Sequence, residues 1–290
     1  MRYEGVVFRP PSEANSLLIQ ATIGCPHNKC AFCAMYKGVK FKVRPVEEVK
    51  EDLAQAWNAY GRYVRTIFFP DGNTIAMRTE KLEEIFKYAS SIFSNLERIT
   101  VYGGAKFVRM KSVEDLRKLK DSGLRRIHMG MESGDNVTLE KMHKGVTAEQ
   151  TIEAGWKVIE AGLELSEYYM VGLGGLERTT EHAIESARVL NAINPTFIRL
   201  RTTVPVPGTE LYEMFKRGEW TLLSPHQAIN EIKILIENLT CESILVSDHN
   251  SNFWDIEGKL PEDKEKMLSE IERALQVDES RFRPYWAVRL

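Results

Sequence analysis

Three of the chain's four cysteines, Cys25, Cys30 and Cys33, lie within nine residues of one another. Thiolates are preferred ligands of soft metal centres, and this C-x4-C-x2-C spacing allows all three to bind one compact centre. The fourth, Cys241, lies more than 200 positions away, so we expect it to be a buried core thiol. Cysteines clustered in this way suit a metal site in a reducing compartment better than a disulfide framework.

Three interpretations of this cysteine cluster compete. An unliganded trio in a loop would be liable to oxidation. A zinc site could take His27 as its fourth ligand, but structural zinc usually draws its ligands from two separated pairs, and the sequence has no second pair. An iron–sulfur cluster held by three thiolates leaves one iron open to a substrate or cosubstrate. The spacing favours the iron–sulfur cluster and leaves zinc open.

The cysteines follow the first of several short apolar segments that alternate with amphipathic helical segments. This alternation is typical of a parallel sheet with helices packed against it. We predict seven strands, all parallel, at residues 16–22, 65–69, 98–102, 126–131, 165–171, 197–204 and 243–247. The predicted helices are residues 45–60, 79–93, 112–121, 147–160, 180–191, 225–239 and 262–275.

Glycine and polar residues follow each predicted strand. Barrels and doubly wound sheets bind their ligands at the carboxyl ends of parallel strands. Turn formation explains any one of these loops, because Gly, Asp and Asn are common turn residues, but it does not explain their recurrence after every strand. We therefore expect a binding site at this end of the sheet, formed by segments 24–25, 71–73, 103–104, 132–134, 172–175, 205–208 and 248–250.

The cysteine motif, with the aromatic Phe32 directly before its last cysteine, resembles the radical SAM superfamily. The usual spacing in that superfamily is C-x3-C-x2-C, so this chain has one extra residue in the first interval. The resemblance implies a [4Fe–4S] cluster on Cys25, Cys30 and Cys33 whose open iron binds S-adenosylmethionine (SAM). It further implies reductive cleavage of SAM to methionine and a 5′-deoxyadenosyl radical, on a partial TIM-like (β/α)6 barrel of the α/β class. Here the barrel would carry a C-terminal α/β extension.

Other segments are similar to the branch that contains oxygen-independent coproporphyrinogen oxidases, Elp3-type and methylthiotransferase-type enzymes. Residues 130–134, Gly-Met-Glu-Ser-Gly, resemble a segment that places Glu132 at the SAM ribose. Lys144 stands where a cation meets the SAM carboxylate, and segment 71–73 stands where backbone carbonyls accept from the SAM ammonium. The resemblance assigns cofactor contacts to Phe32, Asp71, Gly72, Asn73, Glu132, Lys144, Tyr168 and Gly172.

Substrate recognition should come from residues outside this shared core. Arg199 and Arg201 alternate on the sixth predicted strand and so share one face. If that face lines the barrel, the two guanidinium groups favour a carboxylate or phosphate on the substrate; if it points outward, they form surface ion pairs. The polar loop 247–252 is either substrate-contacting or an ordinary turn. The candidate substrate residues are Arg201, Asp248, His249 and Asn250.

The composition limits the partners that the chain can be expected to have. Lys and Arg total 39 against 41 Asp and Glu, and the net charge of −2 gives no support to nucleic acid or an anionic membrane as partner. No segment approaches the roughly 20 apolar residues of a membrane span, and the N-terminus lacks a signal-peptide pattern. We therefore expect a cytoplasmic protein. One spare cysteine argues against sulfur insertion, which usually needs an auxiliary cluster.

These patterns divide the 290 residues into a lead segment (1–15), a radical SAM core (16–215) and a C-terminal extension (216–290) that adds a seventh strand and substrate contacts. The leading hypothesis is a single-cluster radical SAM enzyme, an oxidoreductase that abstracts hydrogen from an anionic substrate. We expect a small molecule rather than a macromolecule as substrate and a ferredoxin or flavodoxin as electron donor. The alternatives are a non-catalytic zinc-binding module and a radical SAM enzyme that modifies RNA or a protein partner.

Overall fold

In the computed structural model, which describes residues 1–285, strands and helices alternate along most of the chain. The strands are β1 (Leu17–Leu18), β2 (Thr22–Ile23), β3 (Lys42–Val43), β4 (Thr66–Phe69), β5 (Arg98–Tyr102), β6 (Leu124–Glu132), β7 (Glu164–Val171), β8 (Phe197–Thr202), β9 (Ile244–Val246) and β10 (Gly258–Lys259). The α-helices are α1 (Val46–Tyr60), α2 (Thr79–Ile92), α3 (Ala105–Val108), α4 (Val113–Asp121), α5 (Asn136–Lys141), α6 (Ala148–Glu160), α7 (Thr179–Ile193), α8 (Glu210–Lys216), α9 (Pro225–Asn238) and α10 (Lys264–Leu275).

Eight of these strands form one sheet in the order β1-β4-β5-β6-β7-β8-β9-β10. β4 pairs in parallel with β1 and β5, β5 with β6, and β8 with β7 and β9. The parallel sheet predicted from the sequence is confirmed by these pairs. The last strand, β10, joins β9 in antiparallel orientation and was not predicted.

The predicted first strand, residues 16–22, is wrong as a continuous element. Only β1 pairs with β4, and β2 instead forms an antiparallel pair with β3. At Gln20 the backbone carbonyl is taken by a side chain: the guanidinium of Arg44 donates to it. The Gln20 side chain in turn donates from Nε2 to Asp71.

The chain divides into two compact units, each with its own core. The first contains residues 1–28, 35–129 and 153–165; the second contains residues 29–34, 130–152 and those from 166 onward. The segments 1–15, 16–215 and 216–290 follow the extent of the family resemblance and not the compactness of the chain, so they stay a prediction. Residues 286–290 of the last segment lie outside the described part.

In the first unit, helices α1, α2 and α4 cover the parallel strands. Helix α1 buries the stripe of Val49, Leu53 and Ala56, whose spacing places them on one side. Phe86 of α2 packs against Phe69 of β4 with ring centroids 5.2 Å apart. Full burial of such side chains stabilises the fold by about 1.5–3 kcal/mol each.

Near the amino ends of these strands, Glu13 is the centre of a buried polar network. Its carboxylate accepts from Ser16 Oγ at 2.5 Å, lies 3.1 Å from His128 Nε2 and pairs with Arg98 at 3.3 Å. Burial alone would raise the pKa of Glu13, but the hydrogen bonds from His128 and Ser16 outweigh it and lower that pKa to about 2. The carboxylate is therefore charged in the folded protein at any ordinary pH.

In the second unit, helix α9 packs against both α7 and α10. Helix α9 begins with a capping box, in which Ser224 accepts from the Gln227 amide and the Gln227 side chain accepts from Ser224. The predicted helix over 225–239 is thus confirmed to within one residue. Helices α5 and α8 were not predicted, because six and seven residues are too few for a clear helical periodicity.

None of the helices within residues 1–285 combines the length and the apolar character that crossing a membrane would require.

Candidate active site

The loop that carries Cys25 begins at Gly24, whose φ of +77° is strained for any residue with a side chain. The carbonyl of Gly24 accepts from the Gly72 amide at 3.1 Å. Two N–H groups, the Asn28 amide and Asn73 Nδ2, each lie 3.5 Å from Cys25 Sγ. Such donors stabilise a thiolate and tune a metal centre bound to it.

Segment 71–73 holds this loop in place. Asp71 is buried, accepts from Gln20 Nε2 at 2.8 Å and from the Gly24 amide at 3.3 Å, and burial raises its pKa to about 6 against these hydrogen bonds. Gly72 has to be glycine, since a Cβ there would lie 2.5 Å from that of Cys25. The side chains predicted to border SAM thus support the cysteine loop, while the predicted role of their backbone carbonyls stays a prediction.

Cys30 and Cys33 lie in the second unit, on a turn anchored by the buried Ala31 between them. The Ala31 amide donates to Met142 at 3.0 Å, and its carbonyl accepts from Leu211 at 2.9 Å. Ala31 packs in an apolar cluster with Met142, Leu211 and others, against which Phe32 is placed. Two backbone hydrogen bonds therefore hold the turn, and its two cysteines are half-buried and form no disulfide.

Within residues 1–285, no three His, Cys, Asp or Glu side chains are grouped closely enough to hold a single metal ion. The four ligands of the zinc hypothesis belong to both units: Cys25 and His27 lie in the first, and Cys30 and Cys33 lie in the second. Cysteines outside disulfides, the N–H donors at Cys25 Sγ and the space left by Gly72 fit a cluster.

Glu132 and Lys144 form an ion pair in the second unit. Lys144 Nζ lies 3.1 Å from Glu132 Oε1, and both side chains are mostly buried, at 13% and 16% exposure. Lys144 Nζ also lies 5.9 Å from the centroid of the Phe32 ring, next to Cys33. Lys144 is therefore not a solvated surface lysine. Three residues assigned to SAM from the sequence are thus neighbours in the structure.

The backbone explains why this pair forms. Glu132 ends β6 with a φ of +64°, a conformation rare for residues other than glycine. Lys144 follows α5 in a Schellman motif, where its amide donates to Leu139 and His143 takes the left-handed position. Gly130 leaves room for the pair, since a Cβ there would overlap Glu132 Oε1. Strained backbone of this kind is concentrated at functional sites.

Glu167 on β7 was missed in the sequence. It is fully buried, and among residues 1–285 neither carboxyl oxygen has a hydrogen-bonding partner within 3.5 Å. Burial and then the charge of Glu132 raise its pKa well above the usual range, against smaller opposing effects of Lys144 and the Met131 backbone. We therefore expect Glu167 to be protonated beside the Glu132–Lys144 pair. A single acid within an otherwise apolar strand was the available signal.

Gly172, which follows β7 with a φ of +78°, is fixed by a second residue that the sequence did not reveal. Its amide donates to Glu231 Oε1 on α9 at 2.7 Å. The same oxygen accepts from the Tyr169 hydroxyl at 2.7 Å and lies 3.1 Å from His182 Nδ1 on α7. Tyr169 therefore faces helices α7 and α9, and Tyr168, with opposite alternation, faces away from them.

Arg199 and Arg201 share the face of Tyr168. The register between β7 and β8 sets Tyr168 beside Arg199 and Met170 beside Arg201. Arg199 is buried and does not form a surface ion pair: it donates to Ser166 at 3.1 Å and pairs with Asp248 at 3.2 Å. Arg201 is half-buried and forms no ion pair or hydrogen bond within residues 1–285.

Loop 247–252 is fixed to the end of β8 by Asn252. Its amide oxygen accepts from the Thr202 amide at 2.9 Å, and its Nδ2 donates to Leu200 and Ser247, each at 2.9 Å. The loop therefore brings His249 close to Arg201. Burial and then the charge of Arg201 lower the pKa of His249 to about 4, so the ring is neutral at neutral pH.

A cavity of about 590 Å³ lies beside this loop. Asp248, His249 and Asn250 line it together with the carboxylates of Asp255, Glu257 and Glu270 and the cations Lys266 and Arg283. Arg201 is not part of its lining. Asn250 is exposed, and its carbonyl accepts from Arg283 at 2.8 Å.

The family model of the Radical SAM superfamily matches residues 19–187, more than half of the chain. This chain belongs to the radical SAM superfamily. The match includes all three clustered cysteines, Glu132 and Lys144, and members of the superfamily use a [4Fe–4S] cluster and SAM. The chain is therefore a radical SAM enzyme.

Individual radical SAM proteins are distant relatives of this chain. An uncharacterised protein of Methanocaldococcus jannaschii is 24% identical over 75% of this chain and 70% of its own length. A tRNA uridine(34) acetyltransferase of the same organism is 23% identical over 72% of this chain, which spans only 46% of that protein. Coproporphyrinogen III oxidase of Escherichia coli has a similar fold, with a TM-score of 0.57 at 17% identity over 77% of this chain and 51% of that one. Together with the parallel sheet, these comparisons confirm the predicted partial TIM-like barrel fold.

Proposed function

We propose that this radical SAM enzyme holds one [4Fe–4S] cluster on Cys25, Cys30 and Cys33, cleaves SAM reductively and abstracts hydrogen from an anionic small molecule. The observation that carries the proposal is the position of Lys144. It pairs with Glu132 and lies over the ring of Phe32, directly before Cys33. A carboxylate, a cation and an aromatic ring thus meet beside the cysteine turn, which suits the hydroxyls, the carboxylate and the sulfonium of SAM.

The chain's own residues would bind and orient SAM. The Glu132 carboxylate would accept hydrogen bonds from the ribose hydroxyls. Lys144, which now pairs with Glu132, would then also bind the carboxylate of the methionine moiety. Gly172, whose amide is held by Glu231, would offer its backbone to the adenine. Tyr168 lies on the same side of the sheet as Arg199. When bound, the cluster supplies one electron for cleavage of SAM to methionine and a 5′-deoxyadenosyl radical. A small reduced carrier such as ferredoxin or flavodoxin would deliver that electron in the cytoplasm.

The decisive experiment is anaerobic reconstitution with iron and sulfide, followed by reduction with dithionite in the presence of SAM. About four irons per chain and release of 5′-deoxyadenosine are expected from the native chain. Cys30→Ala should lose both, whereas His27→Ala should keep both, because His27 is a ligand only in the zinc hypothesis. Full retention of iron by Cys30→Ala, or iron-free protein that binds zinc through His27, would refute the proposal.

Modification of RNA is a second candidate, favoured by similarity to a protein named tRNA uridine(34) acetyltransferase. The net charge of −2 weighs against it, because nucleic-acid-binding proteins depend on clustered positive charge. Addition of tRNA to the SAM cleavage assay distinguishes the two. We expect no stimulation by tRNA, and a severalfold stimulation that is abolished by salt would favour the RNA substrate instead.

A further inference from the structure

Two arginines on one face of β8 differ in how their charge is compensated. Arg199 is buried and neutralised by Asp248 at 3.2 Å. Arg201 lies two residues further toward the carboxyl end, is half-buried, and has no acidic partner within the described residues. A guanidinium that is partly removed from water without a counter-ion is costly, and that cost is recovered when an anion binds.

We propose that Arg201 and His249 form a binding site for a carboxylate group of the substrate. This inference rests on the proposed function, because it names the substrate class of the same site. Arg201 would offer its planar fork of N–H groups to both carboxylate oxygens, and His249 would add one neutral donor.

The position of Arg201 suits a substrate of the SAM site. The register places Arg201 beside Met170 of β7, on the face opposite to the one that packs on helices α7 and α9. Met170 packs against the same apolar cluster as Phe32, and this cluster includes Ala31 of the cysteine turn. Arg201 is therefore next to a side chain that packs on the cluster beside the cysteine turn, which suits a small substrate with its anionic end at Arg201.

His249 is oriented to donate to such a ligand. The Ser251 amide donates to His249 Nδ1 at 3.1 Å, so the ring proton of the neutral imidazole lies on Nε2. Asn252 holds the whole loop against the end of β8 through its bonds to Thr202 and Leu200. The donor is thus fixed before any ligand binds, which reduces the entropy lost on binding.

The charges around Arg201 favour a ligand with a single negative charge. Asp248 compensates Arg199 and His249 is neutral, so Arg201 contributes the one uncompensated positive charge of this group. The nearby cavity has more carboxylates (Asp248, Asp255, Glu257 and Glu270) than cations (Lys266 and Arg283), and this excess disfavours a second negative charge on the ligand. A monocarboxylate is therefore expected to bind better than a phosphate monoester.

The test measures anion binding to the reconstituted enzyme with SAM present, by calorimetric titration of acetate and of inorganic phosphate at constant ionic strength. We expect saturable binding of acetate, weaker binding of phosphate, and a loss of acetate affinity of about 10-fold or more in Arg201→Met. Arg201→Lys should keep part of the affinity, because it retains the charge and loses the fork. The matched control is Arg217→Met, which removes an exposed arginine paired with Glu219 and should leave acetate binding unchanged.

Equal acetate affinity of the native chain and Arg201→Met would overturn the inference, as would tighter binding of phosphate than of acetate. Absence of saturable acetate binding to the native enzyme would overturn it too. SAM cleavage without added substrate is measured on the native chain and on the control Arg217→Met, and it should be the same in both. Loss of SAM cleavage from the native chain would instead refute the proposed function, so the two failures are distinguishable.

Discussion

The two ends of the parallel strands in the first unit use their polar residues in different ways. Near the amino ends, Glu13, Ser16, Arg98 and His128 satisfy one another in a closed buried network. At the carboxyl ends, Gln20 and segment 71–73 are directed at one loop, that of Cys25. The first arrangement contributes to stability and offers nothing to a ligand, whereas the second fixes a reactive side chain and leaves its thiol half-buried and free.

The backbone conformation also differs between the buried network and the carboxyl-end loops. Residues with positive φ occur at Gly24 and Asp71 in the carboxyl-end loops, whereas none of Glu13, Arg98 and His128 in the buried network has a positive φ. Strain is tolerated where it positions chemistry, as is known for α/β barrels generally. Substitutions in the carboxyl-end loops should therefore change the iron content, whereas substitutions in the buried network should change the free energy of unfolding.

The largest effect is expected for Cys25→Ala. It removes one of three proposed thiolate ligands, so iron content and SAM cleavage should both fall to background, while the unfolding transition of the metal-free chain should change little. Cys241→Ala is the control. Burial raises the pKa of the Cys241 thiol to about 11, so it is an inert core group, and this variant should keep its iron. Iron retained by Cys25→Ala would show that the cluster lies elsewhere.

Gly72→Ala should lose most of its iron. The added methyl group would lie 2.5 Å from Cys25 Cβ, so the cysteine loop has to move. Gly38→Ala is the matched control, because Gly38 has open space around its Cβ position and bears only the cost of a φ of +78°. Similar iron content in both glycine variants would mean that the contact of Gly72 with Cys25 is not restrictive.

Glu13→Ala should lower the free energy of unfolding by about 3 kcal/mol, since it leaves buried His128 and Arg98 without their carboxylate. Iron content per folded molecule should not change. Glu97→Ala, which breaks an exposed pair with Arg65, should cost less than about 1 kcal/mol. Urea unfolding of metal-free protein measures both variants, and a loss of iron parallel to the loss of stability in Glu13→Ala would contradict the division between the two ends.

The same variant has a defined pH dependence. The pKa of Glu13 is lowered to about 2 in the folded chain from its ordinary 4.5, so its contribution to stability is fully present above about pH 4.5 and is lost as the pH falls through about 2. The difference in unfolding free energy between the native chain and Glu13→Ala should therefore shrink over that range. A difference that stays constant from pH 5 to about pH 2 would show that the network does not depend on the charge.

The smallest effect is expected for Lys144→Met in the second unit. Loss of one cation at the proposed SAM carboxylate site should raise the Kd of SAM by about 10-fold while iron content is kept. Lys141→Met on the preceding helix α5 is the control, because Lys141 donates to the Glu219 carbonyl and not to Glu132. An unchanged Kd in Lys144→Met would remove Lys144 from the SAM site.

The elements themselves were largely predictable from the sequence. Strand β5 and helix α1 lie where the alternation of apolar residues predicts them, because each depends on a local pattern of period two or 3.6. The failures have a physical reason as well. The segment 16–22 has the pattern of a strand, but the pairing of β1 ends at Leu18. Arg44, distant in sequence, donates to the Gln20 carbonyl, and Asp71 accepts from Gln20 Nε2.

The sequence by itself determined the cysteine spacing, the order of strands and helices and the candidate Glu132 and Lys144, because each depends on residue type and on distance along the chain. Only the tertiary structure decided that Lys144 pairs with Glu132, that Glu231 holds Gly172, and that Arg199 is neutralised while Arg201 is not. These outcomes depend on which buried groups find partners across the fold. That choice is set by desolvation and by the packing of residues far apart in sequence.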